Sequence, residues 1–139
     1  MKVSDAMHKS VEWVDAETPI SDIAVCMEKN DIGAVPVGKA DRLIGMVTDR
    51  DIALRVVARG KDPKRTTAEQ IMTPKVVYST TQSTVADAVH LMDQKKLRRL
   101  PVLDGNKRLV GMLSLGDVAH SAGLEMTGEL TRAVAAHHS

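Results

Sequence analysis

The chain is written twice. Ile20, Ile23, Ala24 and Met27 fall at i, i+3, i+4 and i+7, and Val85, Ala88, Val89 and Met92 repeat that spacing 65 positions later. Met7 and Met72, Val11 and Val76, and Pro36 and Pro101 keep the same offset. It then becomes 66, for Leu43 with Leu109, Gly45 with Gly111 and Asp51 with Asp117. The added residue lies in a turn, where insertions are best tolerated. Duplication constrains the fold strongly, because each copy is a supersecondary unit that must find cover for its apolar face.

Each copy reads as β-α-β-β-α. In the first, Val11–Val14 is a short strand, and Thr18 caps a helix that starts with Pro19. Ile32–Val37 is an apolar strand, the turn Gly38–Arg42 follows, and Leu43–Val47 completes a hairpin. A second helix starts at Thr48 and runs to about Arg59, ended by Gly60 and Pro63. In the second copy, Val76–Ser79 is a strand and Ser83 caps the helix Val85–Gln94. Leu97–Leu103 and Leu109–Leu113 form a hairpin around Asp104-Gly105, and Ser114 caps the last helix. The expected division is residues 1–62, residues 63–123 and a helical tail, 124–139, with Leu130 and Val134 apolar. A copy of about 60 residues is marginal alone. The predicted fold is therefore α/β (α+β): two tandem repeats related by a pseudo-twofold axis, sheets packed together, helices outside, and a ligand cleft between.

Composition narrows the function. Lys and Arg number 19 against 18 Asp and Glu, a net charge of +1, so no basic field favours nucleic acid. With no Phe, one Trp and one Tyr, there is no platform for stacking single-stranded bases. The one cysteine, Cys26, cannot form an intramolecular disulfide and reads as a small buried hydrophobe. His8, His90 and His120 are scattered, and no Cys/His cluster has zinc spacing. Met1 to Ser10 lacks the apolar stretch of a secretory signal, and no run approaches the ~18 residues of a membrane span. The expectation is a soluble, cytoplasmic protein without a nucleophile–base pair, and so not an enzyme.

The sharpest local pattern is Gly45-Met-Val-Thr48-Asp-Arg-Asp51, echoed by Gly111-Met-Leu-Ser114-Leu-Gly-Asp117. A Ser or Thr followed three residues later by an acid is a capping box at a strand-to-helix junction. The same geometry suits a nucleotide. The helix start offers free N–H groups, the hydroxyl can bond phosphate or ribose, and the carboxylate can accept from both ribose hydroxyls. Both readings stand on the residues alone, although recurrence at equivalent places weakens pure capping.

These segments carry a resemblance. Asp31-Ile-Gly-Ala-Val-Pro-Val37 with Gly45–Ile52, Leu97–Asp104 with Gly111–Val118, and the opening Ile71-Met-Thr-Pro74 resemble a tandem CBS (cystathionine β-synthase) pair, or Bateman module, over about residues 1 to 123. The resemblance implies adenosine ligands: AMP, ADP, ATP, and in some members NAD or S-adenosylmethionine. It places ribose on Asp51 and Asp117, and ribose or phosphate on Thr48 and Ser114. Adenine would lie in an apolar slot lined by Met46 or Met112 and a hairpin strand of the other repeat. Ile32, Gly33, Ala34 and Pro36 would serve Asp117, and Leu97, Leu100 and Pro101 would serve Asp51. Arg98 and Arg99, where the first copy has Gly33 and Ala34, are candidate phosphate partners, as is Arg50 if it does not pair with Asp49 or Asp51. The expected protein is a nucleotide-sensing homodimer. Alternatives are a scaffold whose motifs only cap helices, and an enzyme consuming NAD or ATP.

Overall fold

A computed structural model of the chain describes residues 1–9, 11–122, 128, 131, 132 and 135. It has a mixed α+β architecture with two sheets of three strands, β1-β2-β3 and β4-β5-β6, each belonging to one repeat. The chain divides into two compact units, Glu12–Val76 and Met1–Val11 with Val77–Ser139. That division differs from the expected boundary near residue 62. The opening segment of each repeat is assigned to the unit built around the other repeat's hairpin.

In the unit Glu12–Val76, β1 (Val14–Asp15) runs parallel to β2 (Ala34–Lys39), which pairs antiparallel with β3 (Arg42–Thr48). The expected strand Val11–Val14 is therefore only two residues and lies later, Val14 and Asp15 pairing with Val37 and Gly38. The β2–β3 turn is tight: Ala40 and Asp41 both take left-handed φ, 51° and 64°, as a two-residue hairpin loop requires. Helix α2 (Ile20–Asn30) buries Ile20, Ile23 and Met27, whereas Ala24, expected in that stripe, is exposed. Thr18 does not cap it. Pro19 holds the N-cap position without a side-chain bond. The N–H groups of Ile20 and Ser21 instead donate to the carbonyls of Thr66 and Pro63, at 2.9 and 3.0 Å. Helix α3 (Asp49–Ile52) continues as a π-helical turn, Ala53–Val57, and Gly60 ends it at φ 66°. The opening of the second repeat, α4 (Ala68–Ile71), completes the core: Ala68 and Ile71 join Ile20, Ile23, Val35, Val37, Val47 and Val56.

The other unit is built alike. Strand β4 (Ser79–Thr80) runs parallel to β5 (Arg99–Leu103), which pairs antiparallel with β6 (Leu109–Ser114). Strand β4 likewise replaces the longer strand expected at Val76–Ser79. Helix α5 (Val85–Lys95) is capped by Thr84, whose hydroxyl accepts from Asp87 N at 3.1 Å. Ser83, the expected cap, instead shares a 2.9 Å hydroxyl contact with Thr80. The turn residue Asp104 accepts from the N–H groups of Asn106 and Arg108, at 2.8 and 3.0 Å. Helix α6 (Leu115–Ala122) follows β6, and α1 (Val3–Ala6) adds Val3 to a core of Ala88, Val89, Met92, Leu100, Val102, Leu113 and Val118. Of the expected tail, Gly128, Thr131, Arg132 and Ala135 are helical; Leu130 and Val134 lie outside the described residues. Among the described residues no helix is long and apolar enough to cross a membrane.

Candidate functional site

The strand-to-helix junctions after β3 and β6 have the same construction. Thr48 N–H donates to Asp51 Oδ2 at 2.9 Å, and Thr48 Oγ1 accepts from Asp51 N–H at 3.1 Å. Ser114 and Asp117 repeat the exchange, both bonds at 3.0 Å. Each motif is thus a complete capping box. Each carboxylate still holds one oxygen outside that box. Asp51 Oδ1 lies 3.9 Å from Arg55 Nε, and Asp117 Oδ1 lies 3.6 Å from His8 Nε2. Both separations exceed hydrogen-bond length. An ionised carboxylate has about four acceptor positions, so Oδ1 in each motif keeps acceptor capacity. The two side chains are only 15% and 18% exposed, partly shielded from the screening that salt gives a surface charge.

The hairpins bring most of the remaining candidates beside these acids. Ala34 faces Thr48 across the β2–β3 ladder, and Pro36 faces Met46. Arg99 faces Ser114 and Pro101 faces Met112 across β5–β6. Directly opposed side chains share one face of a sheet, so each tetrad lies on the face turned away from its unit's core. Val35, Val37, Leu100 and Val102 alternate with these residues and are fully buried. Leu100 was expected to line an adenine slot; its side chain instead fills the core. Gly33 and Arg98, equivalent positions, each accept the first helical N–H through their carbonyl, from Asp49 and Leu115 at 3.0 Å. Ile32 and Leu97 are half-buried beside them, and Arg98 and Arg99 are exposed.

The opening segments dock against the motif strands. Met46 exchanges two backbone hydrogen bonds with Thr73, at 3.1 and 2.9 Å, and Met112 exchanges two with His8, at 3.0 and 2.8 Å. That approach requires glycine on the strand. A Cβ at Gly45 would sit 3.0 Å from the Thr73 carbonyl oxygen and against Met72, and one at Gly111 would sit 2.8 Å from the His8 carbonyl oxygen and against Met7. The same docking delivers His8 to Asp117. Neither His8 nor Arg55 was singled out from sequence. The Asp51–Arg55 pair has i, i+4 spacing, a readable helix signal, whereas His8 meets Asp117 only through tertiary structure. Asp51's ionic partner is Arg55 rather than the neighbouring Arg50, which is exposed.

This duplicated hairpin-and-cap arrangement belongs to a known class. The CBS domain profile matches residues 3–58 and again 68–123, so the chain belongs to the CBS domain family and carries a tandem pair. It is 40% identical over 117 residues to the CBS domain-containing protein YhcV of Bacillus subtilis, covering 84% of this chain and 82% of that one. It is 34% identical over 116 residues to hypoxic response protein 1 of Mycobacterium tuberculosis, covering 83% of this chain and 80% of that protein. A crystal structure of hypoxic response protein I with two coordinated zinc ions superposes with a TM-score of 0.80 at 33% identity, over 86% of this chain and 98% of that one. Among the described residues of the present chain, no group of three or more His, Cys, Asp or Glu could hold a metal ion. The CBS domain pair of MJ0100, solved with 5′-methylthioadenosine and S-adenosyl-L-methionine, superposes with a TM-score of 0.78 at 26% identity, over 88% of this chain and all of that one (100%).

Proposed function

We propose that the chain is a regulatory, non-catalytic module that binds an adenosine-containing nucleotide (AMP, ADP, ATP or NAD) and signals by a conformational shift. One observation carries this reading: both motifs keep a shielded carboxylate oxygen, Asp51 Oδ1 and Asp117 Oδ1, outside an otherwise complete capping box. A vicinal pair of ribose hydroxyls is a donor set that such an oxygen accepts. The adenosine compounds bound to the MJ0100 pair support the ligand class. The nucleotide can move the module only by its differential affinity for two states, and we place that module in the cytoplasm. We also propose a homodimer, the assembly that the family resemblance implies.

Calorimetry with AMP, ATP and NAD tests the binding, beside mass spectrometry of ligand released from the native protein. Asp117→Ala is expected to lose about 1.5–3 kcal/mol of binding at its site, the value of charge-assisted hydrogen bonds. Unchanged affinity in both Asp51→Ala and Asp117→Ala would leave the acids as helix caps. The completeness of the two capping boxes favours a second reading, a scaffold without a physiological nucleotide. Failure of all three nucleotides to bind at millimolar concentration would establish that one.

A further inference from the structure

Resting on that reading of the motif carboxylates, we propose that Arg55 is a positioning residue for the first site, holding Asp51 Oδ1 aimed while leaving its acceptor positions to the ligand. Arg55 Nε lies 3.9 Å from Asp51 Oδ1. That is close enough for ionic attraction and too long for a hydrogen bond. The guanidinium is fixed from its other side: Nη1 donates to the Ile71 carbonyl at 2.7 Å and approaches the Met72 carbonyl at 3.4 Å. These carbonyls close the four-residue helix α4 and have no intrahelical partner of their own. Only a planar fork with several donors serves a carboxylate and two carbonyls at once. Arg55 also lies within the π-helical turn Ala53–Val57, a widened geometry that recurs at functional sites.

The second repeat lacks this device. The 66-residue offset places Ser121 at the position equivalent to Arg55. Asp117 Oδ1 instead faces His8 Nε2 at 3.6 Å, on a side chain that is 78% exposed. One acid is therefore held by a permanently charged, anchored guanidinium, and the other by an exposed imidazole that is charged only when protonated. The first site should consequently be the more rigidly organised toward ribose hydroxyls.

The test uses the full chain in an Asp117→Asn background, which isolates the first site, with adenosine and 2′-deoxyadenosine as calorimetric probes. Their affinity ratio reports the hydroxyl contact and not general stability. Asp51→Asn is expected to lower the preference for adenosine by about tenfold, the loss of a charge-assisted hydrogen bond. Arg55→Gln is expected to lower it comparably, and the double variant by no more than either single one, since both act through one carboxylate. Arg55→Lys keeps a charge but not the fork, and should lower it about threefold. An Arg55→Gln variant that melts earlier yet keeps the full preference would make Arg55 purely structural, and additive losses in the double variant would show that it acts independently of Asp51; either outcome overturns the proposal. If the glutamine variant does not fold, an unchanged preference in Arg55→Lys overturns the proposal. An unchanged preference in Asp51→Asn overturns the ribose reading itself, whatever Arg55 does.

Discussion

Gly45 and Gly111 look interchangeable in the sequence, and the structure separates them. At Gly111 an added Cβ would meet a backbone oxygen, His8 O, at 2.8 Å, whereas at Gly45 the corresponding oxygen, Thr73 O, lies at 3.0 Å. A methionine sulfur can swing aside, but the carbonyl of His8, a residue tied to the same strand by two backbone hydrogen bonds, cannot. Gly111→Ala is therefore expected to cost about 1–3 kcal/mol, the range for overpacking, and Gly45→Ala less. Thermal melts of both variants check the order, and equal melting points would refute it. The motif hydroxyls and acids were legible at this scale because a capping box is a local pattern four residues long. Arg55 was half legible, through its i, i+4 spacing from Asp51. His8 was not, since nothing local connects it with a residue more than a hundred positions away.

Among the elements, the helices and hairpins follow from apolar spacing, but the way each helix starts does not. Thr18-Pro19 and Ser83-Thr84 both offer capping residues, and tertiary context chose between them. The carbonyls of Thr66 and Pro63 take the first N–H groups of α2, so Thr18 is not needed as a cap. Thr84 lies one residue nearer α5 than Ser83, and Ser83 is drawn to Thr80. Thr84→Ala should accordingly cost about 1 kcal/mol of stability, the worth of a lost cap, and Ser83→Ala clearly less; a larger loss at Ser83 in urea titrations would reverse the assignment. At the start of β5, Arg99 opposes Ser114 beside the second motif. If that face receives a phosphate, replacing Arg98 and Arg99 with Ala should weaken AMP binding about tenfold, or ~1.4 kcal/mol. It should barely change the melting point without ligand, because exposed charges contribute little. Equal wild-type affinity for adenosine and AMP would remove phosphate from that account.

At the scale of the molecule, two expectations depend on surfaces and on chain path. Val25, Leu54 and Val57 are 57%, 49% and 70% exposed on α2 and on the turn after α3, apolar area that a homodimer would cover. Light scattering at micromolar concentration should return twice 15.0 kDa, and Val57→Asp should shift it toward the monomer; a wild-type monomer would refute the dimer. The chain path is the deeper point. A sequence repeat invites division at residue 62, since the two family matches, 3–58 and 68–123, part on either side of it. Burial places the openings elsewhere: Val3 is fully buried among Ala88, Met92 and Leu100, and Ile71 among Ile20, Val35 and Val47. Neither exchange could be read locally, because an opening segment with two apolar residues fits either hairpin by pattern alone. The consequence is that the first residues of the chain stabilise the second repeat. Val3→Ala removes two buried methyl groups, about 2 kcal/mol by transfer and cavity terms. Amide hydrogen exchange should localise the loss. Protection is expected to fall in β5 and β6, more than eighty residues downstream, and to hold in β2 and β3, which stand much nearer in sequence. The opposite distribution, with β2 and β3 weakened first, would return residues 1–11 to the first repeat and refute the exchange.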